Sequence, residues 1–264
     1  SDFDAMSARF SNRYMILLIG VIATAVVLIA AVGAALVQRD NTRRDWANEM
    51  SNLALILAEH AGQTLFSAHT VLNSIHDIVM EQNLEDHDAF HAFASRHASY
   101  RLLVDKTSAN PIIDVATFVS SQGEVLNFTR AYPPAPINLA DRDYFLAHSA
   151  NPALGTHTSA PVQNKGSGAW VFYMSRRIDN SRGEMLGLIL VGVSAEVFSR
   201  FYEKVAQDLG AGASVSLYRD DLTLMTRWPF VEEMVGKQNL TGATHRTIVR
   251  EGKTSGVVFT SAAR

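Results

Sequence analysis

Residues 169–205, AWVFYMSRRIDNSRGEMLGLILVGVSAEVFSRFYEKV, contain two β-strand patterns followed by a helix pattern. Large and small apolar side chains alternate through AWVFYMSRRI, which is typical of a strand with two different faces. The polar turn DNSRGE leads directly into the apolar run MLGLILVGV, so the two strands are predicted to pair as an antiparallel hairpin. Ser194 is placed to cap a following helix, and Gly210 is placed to end it.

Upstream, a second hairpin is predicted from IIDVATFVSS (112–121) and VLNFT (125–129). The intervening QGE contains Gly123, which adopts the positive φ of a tight turn without steric strain. The segment AYPPAPINLA (131–140) is predicted to be a loop, because its three prolines cannot donate hydrogen bonds to a sheet. Asp141 is predicted to cap a helix that runs to about Ser149, and Gly155 to restart extended chain.

One further short helix is predicted near residues 86–97, opened by the acidic pair Glu85 and Asp86. Helices and strands in this order are typical of the α+β class, in which helices flank an antiparallel sheet. The region HDAFH places His87 and His91 four residues apart on one helix face, the spacing that two metal ligands need. Without a third ligand or a general base nearby in sequence, a polar surface is the interpretation we prefer, and no metal site is predicted.

The stretch MILLIGVIATAVVLIAAVGAALVQ, residues 15–38, has 24 residues without a charge. At about 1.5 Å per residue it exceeds the roughly 30 Å hydrocarbon thickness of a bilayer, so residues 14–38 are predicted to form a transmembrane helix. A cleaved signal peptide is the alternative, but its apolar core is usually shorter. Residues 1–13 are expected to be cytoplasmic and the following domain periplasmic, anchored in a bacterial inner membrane, although flanking arginines do not determine the orientation.

Residues 40–83 are predicted to form a long stalk helix, because no proline or turn cluster interrupts them. Apolar residues recur at intervals of three and four, which places them on one helix face. Two interpretations are open: the face packs on the sheet of its own chain, or it forms a coiled-coil seam in a homodimer. The stripe consists of Trp46, Met50, Leu53, Leu57, Ala61, Leu65, Ala68, Leu72, Ile75 and Val79.

Composition excludes several function classes. The net charge of −3 and the lack of a basic stripe argue against a nucleic-acid partner. The chain has no cysteine, which excludes thiolate nucleophiles and cysteine-ligated zinc. We find no recognisable serine, histidine and acid motif, so no catalytic residue, enzyme activity or cofactor is predicted.

The stretches NLADRDYFLAHSANPALGTHTSAPV, SGAWVFYMSRRI and RGEMLGLILVGVSAEVFSRFYEKV, in this order, resemble the membrane-distal unit of a double Cache sensor domain, a PAS-like antiparallel sheet. The resemblance covers residues 40–264 and implies a distal unit at 84–209 and an incomplete membrane-proximal unit at 210–264. In the second unit the family usually has glycine where this chain has Leu222. Such domains belong to longer receptors, and the closest resemblance is to those of diguanylate cyclases that make cyclic di-GMP.

The resemblance implies a sensory input module with a small extracytoplasmic ligand, held by Arg142 and Tyr144 together with Trp170 and Tyr173. His157, Thr158 or Ser159 would be secondary hydrogen-bond partners, and Arg130 and Tyr132 are further candidates. A guanidinium binds carboxylates through two parallel hydrogen bonds, so a carboxylate is favoured. A zwitterionic amino acid is disfavoured, because the last distal strand ends in Gly192, Val193 and Ser194, without the aspartate that amino-acid sensors of this pattern keep there.

Alternatives to these assignments are open. Arg142 could pair with Asp141 or Asp143 to fix the loop, and Trp170 could be plain core. Strand alternation allows Trp170 and Tyr173 to line one pocket only if a β-bulge intervenes. At the level of the whole protein, the alternatives are the input domain of a histidine kinase or chemoreceptor, or a ligand-free dimerisation scaffold.

Overall fold

The computed structural model describes residues 2–210 and 212–258. The first helix, α1, extends over Asp2–Met80. Two compact units share it: one contains α1 up to Ala58 together with residues 255–258, and the other is Glu59–Thr254. Within the described residues, α1 is the one helix long and apolar enough to cross a membrane. Its apolar side chains between Leu17 and Val37 are exposed, as such a segment requires.

The predicted hairpins combine into one antiparallel sheet. Its strand order is β2-β1-β6-β5-β3, and β4 also pairs with β5. The predicted α+β class is confirmed. The strands are β1 (Ile113–Ser120), β2 (Val125–Phe128), β3 (Thr156–Thr158), β4 (Val162–Gln163), β5 (Trp170–Asp179) and β6 (Met185–Ser194).

Four shorter helices accompany this sheet: α2 (His87–Ser95), α3 (His97–Thr107), α4 (Asp143–Ala150) and α5 (Ala195–Ala206). The short helix predicted near residues 86–97 is present as α2, capped by Asp86. Arg96 adopts an extended conformation (φ −73°, ψ 154°) that ends it, and the helix α3 that follows was not predicted. Asp141 does not cap α4, which begins at Asp143. The predicted cap at the start of α5 is confirmed, because the Ser194 hydroxyl accepts from the Val197 amide. The α-helix itself ends at Ala206, and Gly210, with φ +89°, ends the 3-10 turn Gln207–Leu209 that follows it.

Both faces of the sheet are buried, which explains why β6 is apolar along its whole length. On one face Phe118 packs edge-on against Phe90 and Phe93 of α2. On the other face a second core cluster includes Val115, Tyr173 and Leu190 of the sheet together with Tyr144 of α4. The sheet therefore lies between a helical layer and the segment that contains α4.

The two interpretations of the stalk helix apply to different parts of α1. In the unit that begins at Glu59, the apolar stripe is core: Leu72 and Ile75 are fully buried. In the N-terminal unit, Trp46 stays 49% exposed. Packing on the chain's own domain is therefore confirmed for the C-terminal turns of α1, and pairing between two chains stays a prediction for the rest.

A smaller two-stranded sheet follows α5, formed by β7 (Val215–Tyr218) and β8 (Leu224–Trp228). In the turn between the two strands, Leu222 has the left-handed backbone that usually needs glycine, with φ +63°. Its side chain is nevertheless buried. Beyond β8 lie single turns at Glu232–Met234 and a short helix, α6 (Ala243–His245), that continues as Arg246–Arg250. The predicted boundary near residue 209 falls between α5 and β7 and stays a prediction.

Candidate ligand-binding site

A small cavity lies between the sheet and the two loops at residues 129–142 and 163–169. Its volume is about 20 Å³, enough for a single water molecule. We call it the sheet cavity. It is lined by Val115, Thr117, Val125, Phe128, Ile137, Leu139, Asn164, Lys165, Gly166, Tyr173 and Leu190.

A polar cluster lies at one side of the sheet cavity. Arg130 forms a short ion pair with Asp114, and its Nη1 donates to Asn164 Oδ1 at 2.7 Å. The Asn164 amide in turn donates to the Tyr173 hydroxyl at 2.5 Å. The ion pair is largely shielded, since the two side chains are 21% and 23% exposed. Partial burial strengthens the attraction between the charges compared with a fully exposed pair.

A β-bulge in β1 positions Asp114. Ile113 pairs with Val193 and Val115 pairs with Gly192, so Asp114 is the extra residue between two consecutive pairs with β6. A bulge of this kind re-aims a side chain relative to the regular alternation. The acid therefore reaches Arg130 beside the cavity that its neighbour Val115 lines.

Two buried tyrosines pack against each other here, and one of them, Tyr173, lines the sheet cavity. The rings of Tyr144 and Tyr173 lie 5.2 Å apart, and both side chains are buried. Burial raises the pKa of Tyr173 to about 12 and raises the pKa of Tyr144 even further. Both phenols are therefore neutral at physiological pH and act only as hydrogen-bonding groups with apolar rings.

Arg142 lies outside the polar cluster. Its Nη2 donates to the Gln163 carbonyl at 3.2 Å. Pairing with Asp141 or Asp143 does not occur: Asp141 forms an ion pair with Lys165 at 2.7 Å, and Asp143 accepts from the amides of Tyr144 and Ala160.

Trp170 is half-buried, and its indole Nε1 donates to Glu232 at 3.2 Å. The pairing of β5 with β6 is regular from Val171 to Tyr173, so no bulge brings Trp170 to the face of Tyr173. The two aromatics therefore do not share the sheet cavity. Trp170 is not a plain core residue either, since it is only half-buried and lies at the surface near the turn that contains Glu232.

Ser159 and Tyr132 have structural contacts. The Ser159 hydroxyl is fully buried, accepts from the Tyr173 amide and donates to the Ala160 carbonyl, so it extends the pairing with β5. The Tyr132 hydroxyl donates to the Ser95 carbonyl at 3.2 Å. His157 and Thr158 instead line a second, larger cavity.

Of the predicted site residues, the structure brings together Arg130, Tyr144 and Tyr173. It adds Asp114, Asn164 and Lys165, which sequence reasoning missed. Asn164 comes directly before a polar, glycine-containing turn, KGSG. Such a turn often marks a loop at a binding site, so it was the feature from which the sequence could have indicated Asn164 and Lys165. Nothing in the sequence marks Asp114, because its position depends on the bulge.

No family model matches the sequence, and no curated protein matches it. Solved structures do match. The extracellular domain of the histidine kinase candidate rpHK1S-Z16 has a TM-score of 0.52 at 23% identity, covering 75% of this chain and 81% of that chain. The ligand-binding domain of the Pseudomonas aeruginosa PAO1 amino acid chemoreceptor PctC, in complex with GABA, has a TM-score of 0.55 at 15% identity, covering 74% and 81%.

The sensory domain of the Campylobacter jejuni chemoreceptor Tlp3 with isoleucine bound has a TM-score of 0.52 at 10% identity, covering 78% of each chain. The chain shares the fold of these sensor domains. At such low identities the likeness establishes the fold alone.

Proposed function

We propose that this chain is the extracytoplasmic, ligand-binding input module of a bacterial transmembrane receptor, and that the sheet cavity is its ligand site. The observation that carries the proposal is the polar cluster of Asp114, Arg130, Asn164 and Tyr173 beside an apolar cavity floor. Few polar groups over an apolar lining are the usual composition of a small-molecule site. The apolar segment of α1 supports anchoring in a membrane, and the sensory domains of shared fold support the role.

The ligand that fits this cluster is a small amino acid. Arg130 supplies the cation for a carboxylate, and Asp114 supplies the anion for an ammonium group. In this proposal Asp114 of β1 takes the role of the acid that the strand end at Gly192–Ser194 lacks, so a zwitterion fits the site. PctC in complex with GABA and Tlp3 with isoleucine are precedents for amino acids in this fold.

Ligand entry requires the cavity to open, because about 20 Å³ holds no amino acid. The two loops that carry Ile137, Leu139 and Asn164 cover the cavity and are the segments that can move away. A bound amino acid would then take the place of the direct contact between Asp114 and Arg130. Its apparent Kd would equal the intrinsic Kd divided by the fraction of molecules that are open, as for any ligand that selects a minor state.

Strand β5 connects this site to the stalk. Tyr173 lies at the cavity, and three residues later Arg176 donates to Asn73 of α1 at 2.8 Å. On the neighbouring strand, Thr156 lies 3.1 Å from His69 of α1. A ligand that displaces β5 would therefore displace α1, and pairing of the exposed stalk residues in a homodimer would carry this bias to the membrane.

The output domain stays a prediction. Cyclic di-GMP synthesis follows from the sequence resemblance, whereas the comparison structures favour a histidine kinase or a chemoreceptor. In each case this chain itself supplies recognition and no catalysis. A ligand-free scaffold is the competing function, and the closed cavity is the observation in its favour.

Calorimetric titration of the full chain in lipid nanodiscs tests the proposal, with GABA, L-isoleucine and butyrate as probes and empty nanodiscs as the blank. We expect at least one amino acid to bind and butyrate to bind more weakly. Arg130→Gln removes a charge-assisted contact and is expected to raise Kd by about tenfold or more. The matched control, Arg142→Gln, removes a guanidinium that lies outside the polar cluster and should leave Kd unchanged.

Binding lost in Arg142→Gln and retained in Arg130→Gln would refute the site. Asp114→Asn separates the ligand classes, because it should weaken amino acids and spare butyrate. Thermal unfolding of each variant identifies any loss of folding. A folded chain that binds none of a broad set of amino acids and carboxylates would support the scaffold.

A further inference from the structure

A second cavity, of about 550 Å³, lies where β3, α1 and the β7–β8 hairpin meet, within the unit Glu59–Thr254. We call it the junction cavity. Its volume falls in the range of cavities that hold small organic ligands. The proposed function leaves it unused. It is lined by Leu65, Thr156, His157, Thr158, Phe172, Leu217, Tyr218, Arg219, Asp220, Asp221 and Met225.

The charge of its lining is negative. Arg219 holds Asp221 with a two-pronged contact, Nε to Oδ1 at 3.1 Å and Nη2 to Oδ2 at 2.7 Å, and its Nη1 donates to the Thr158 carbonyl. This cation is therefore neutralised by its neighbour. Asp220 forms no ion pair within residues 2–210 and 212–258, and its side chain is exposed at the cavity rim. The lining thus has a net charge of −1 when His157 is neutral.

His157 is neutral under ordinary conditions, because burial lowers the pKa of its imidazole. Its Nε2 is buried and has no hydrogen-bond partner in the described part of the chain. A neutral imidazole offers one donor and one acceptor, so this side chain can complete a hydrogen bond with a polar ligand group. Apolar surface in the lining comes from Leu65, Leu217 and Met225.

We propose that the junction cavity binds a small primary amine that carries an apolar or aromatic body. The ammonium group would lie near Asp220 and the ring of Tyr218, because an aromatic face and a carboxylate both attract a cation. The apolar body would contact Leu65, Leu217 and Met225. The same net charge disfavours a carboxylate ligand.

The position of the cavity gives such a ligand a regulatory role. Its lining comes from the stalk helix, from the edge strand of the main sheet and from the second hairpin. A molecule that fills it contacts all three elements at once, so it would alter their packing without entering the sheet cavity. This proposal goes beyond ligand recognition in the sheet cavity and can be tested separately from it.

Calorimetry of the full chain in nanodiscs provides the test, with three probes that share one body: phenethylamine, 2-phenylethanol and 3-phenylpropionate. Empty nanodiscs correct for partition into lipid. We expect phenethylamine to bind with a Kd about tenfold lower than that of either other probe, the difference that one charge-assisted hydrogen bond makes. Asp220→Asn is expected to raise the Kd for phenethylamine by a similar factor.

Two variants locate the site. Glu233→Gln removes an exposed carboxylate outside the cavity lining and should leave Kd unchanged. Leu65→Trp fills the cavity from α1 and should abolish binding. Equal affinities for the three probes, equal effects of Asp220→Asn and Glu233→Gln, or retained binding in a folded Leu65→Trp chain would each overturn the proposal. Asp220 is exposed, so its variant is expected to fold even if the tryptophan variant does not.

Discussion

Replacing Leu222 separates two opposing effects in the turn between β7 and β8. Its side chain is 4% exposed, yet its backbone has φ +63°. Removing a buried leucine side chain in Leu222→Ala costs about 2–5 kcal/mol, with the left-handed backbone unchanged. Leu222→Gly loses the same side chain but regains about 1–2 kcal/mol from the backbone, less roughly 0.5–1 kcal/mol for the greater freedom of the unfolded chain.

The expected order of stability is wild type, then Leu222→Gly, then Leu222→Ala, with glycine above alanine by up to about 1.5 kcal/mol. This order reverses the usual preference for alanine over glycine. Equilibrium urea unfolding of the chain in nanodiscs, followed by tryptophan fluorescence, measures it, because Trp228 ends the adjacent strand β8. An alanine variant more stable than the glycine variant would refute the backbone argument, and a glycine variant more stable than wild type would refute the burial argument.

Two further predictions concern the main sheet. Gly192→Ala places a Cβ 2.8 Å from methyl carbons of Val115 and Val171 and 3.0 Å from the Tyr173 ring. The free energy of unfolding measured in urea should therefore decrease by about 1–3 kcal/mol. Calorimetry should also show weaker amino acid binding, because Tyr173 lines the sheet cavity. Burial lowers the pKa of His148 and of His157 below 6.5, so the unfolded chain binds more protons once the pH falls below that value. As the pH falls, the free energy of unfolding should then decrease by up to about 1.4 kcal/mol per pH unit for each histidine. The difference in this free energy between pH 7.5 and 5.5 should be smaller in His148→Asn than in the wild type. A urea midpoint that does not change with pH would contradict the prediction.

The strands were predictable because their signal is local. Alternation in β5, the apolar run of β6 and the Ser194 cap of α5 each depend on side chains within a few residues of one another. The helix α3 was missed for the opposite reason. Its buried face consists of Ser99, Leu103 and Thr107, so two of its three core residues are hydroxyl residues that give no apolar period.

The site was predictable only in part, because its geometry depends on long-range register. Arg130 and Arg142 both stand near aromatic residues in the sequence, and the contact that distinguishes them is the ion pair with Asp114. That pair requires the bulge in β1, which forms only when β1 meets β6. The resemblance places Trp170 in the pocket, but the regular pairing of β5 with β6 leaves it on the other face of the sheet, where its indole donates to Glu232.

The buried turns of α1 have a mechanical consequence for the receptor role proposed above. Ala68, Leu72 and Ile75 are fully enclosed by the same domain that contains the sheet, and tightly packed interiors resist sliding by even a fraction of a side chain. This length of helix therefore cannot act as a piston that travels through a stationary domain. Because it is packed into the domain, this part of α1 moves together with the sheet as one rigid body. Any rotation or tilt of the sheet is therefore also a rotation or tilt of this part of the helix.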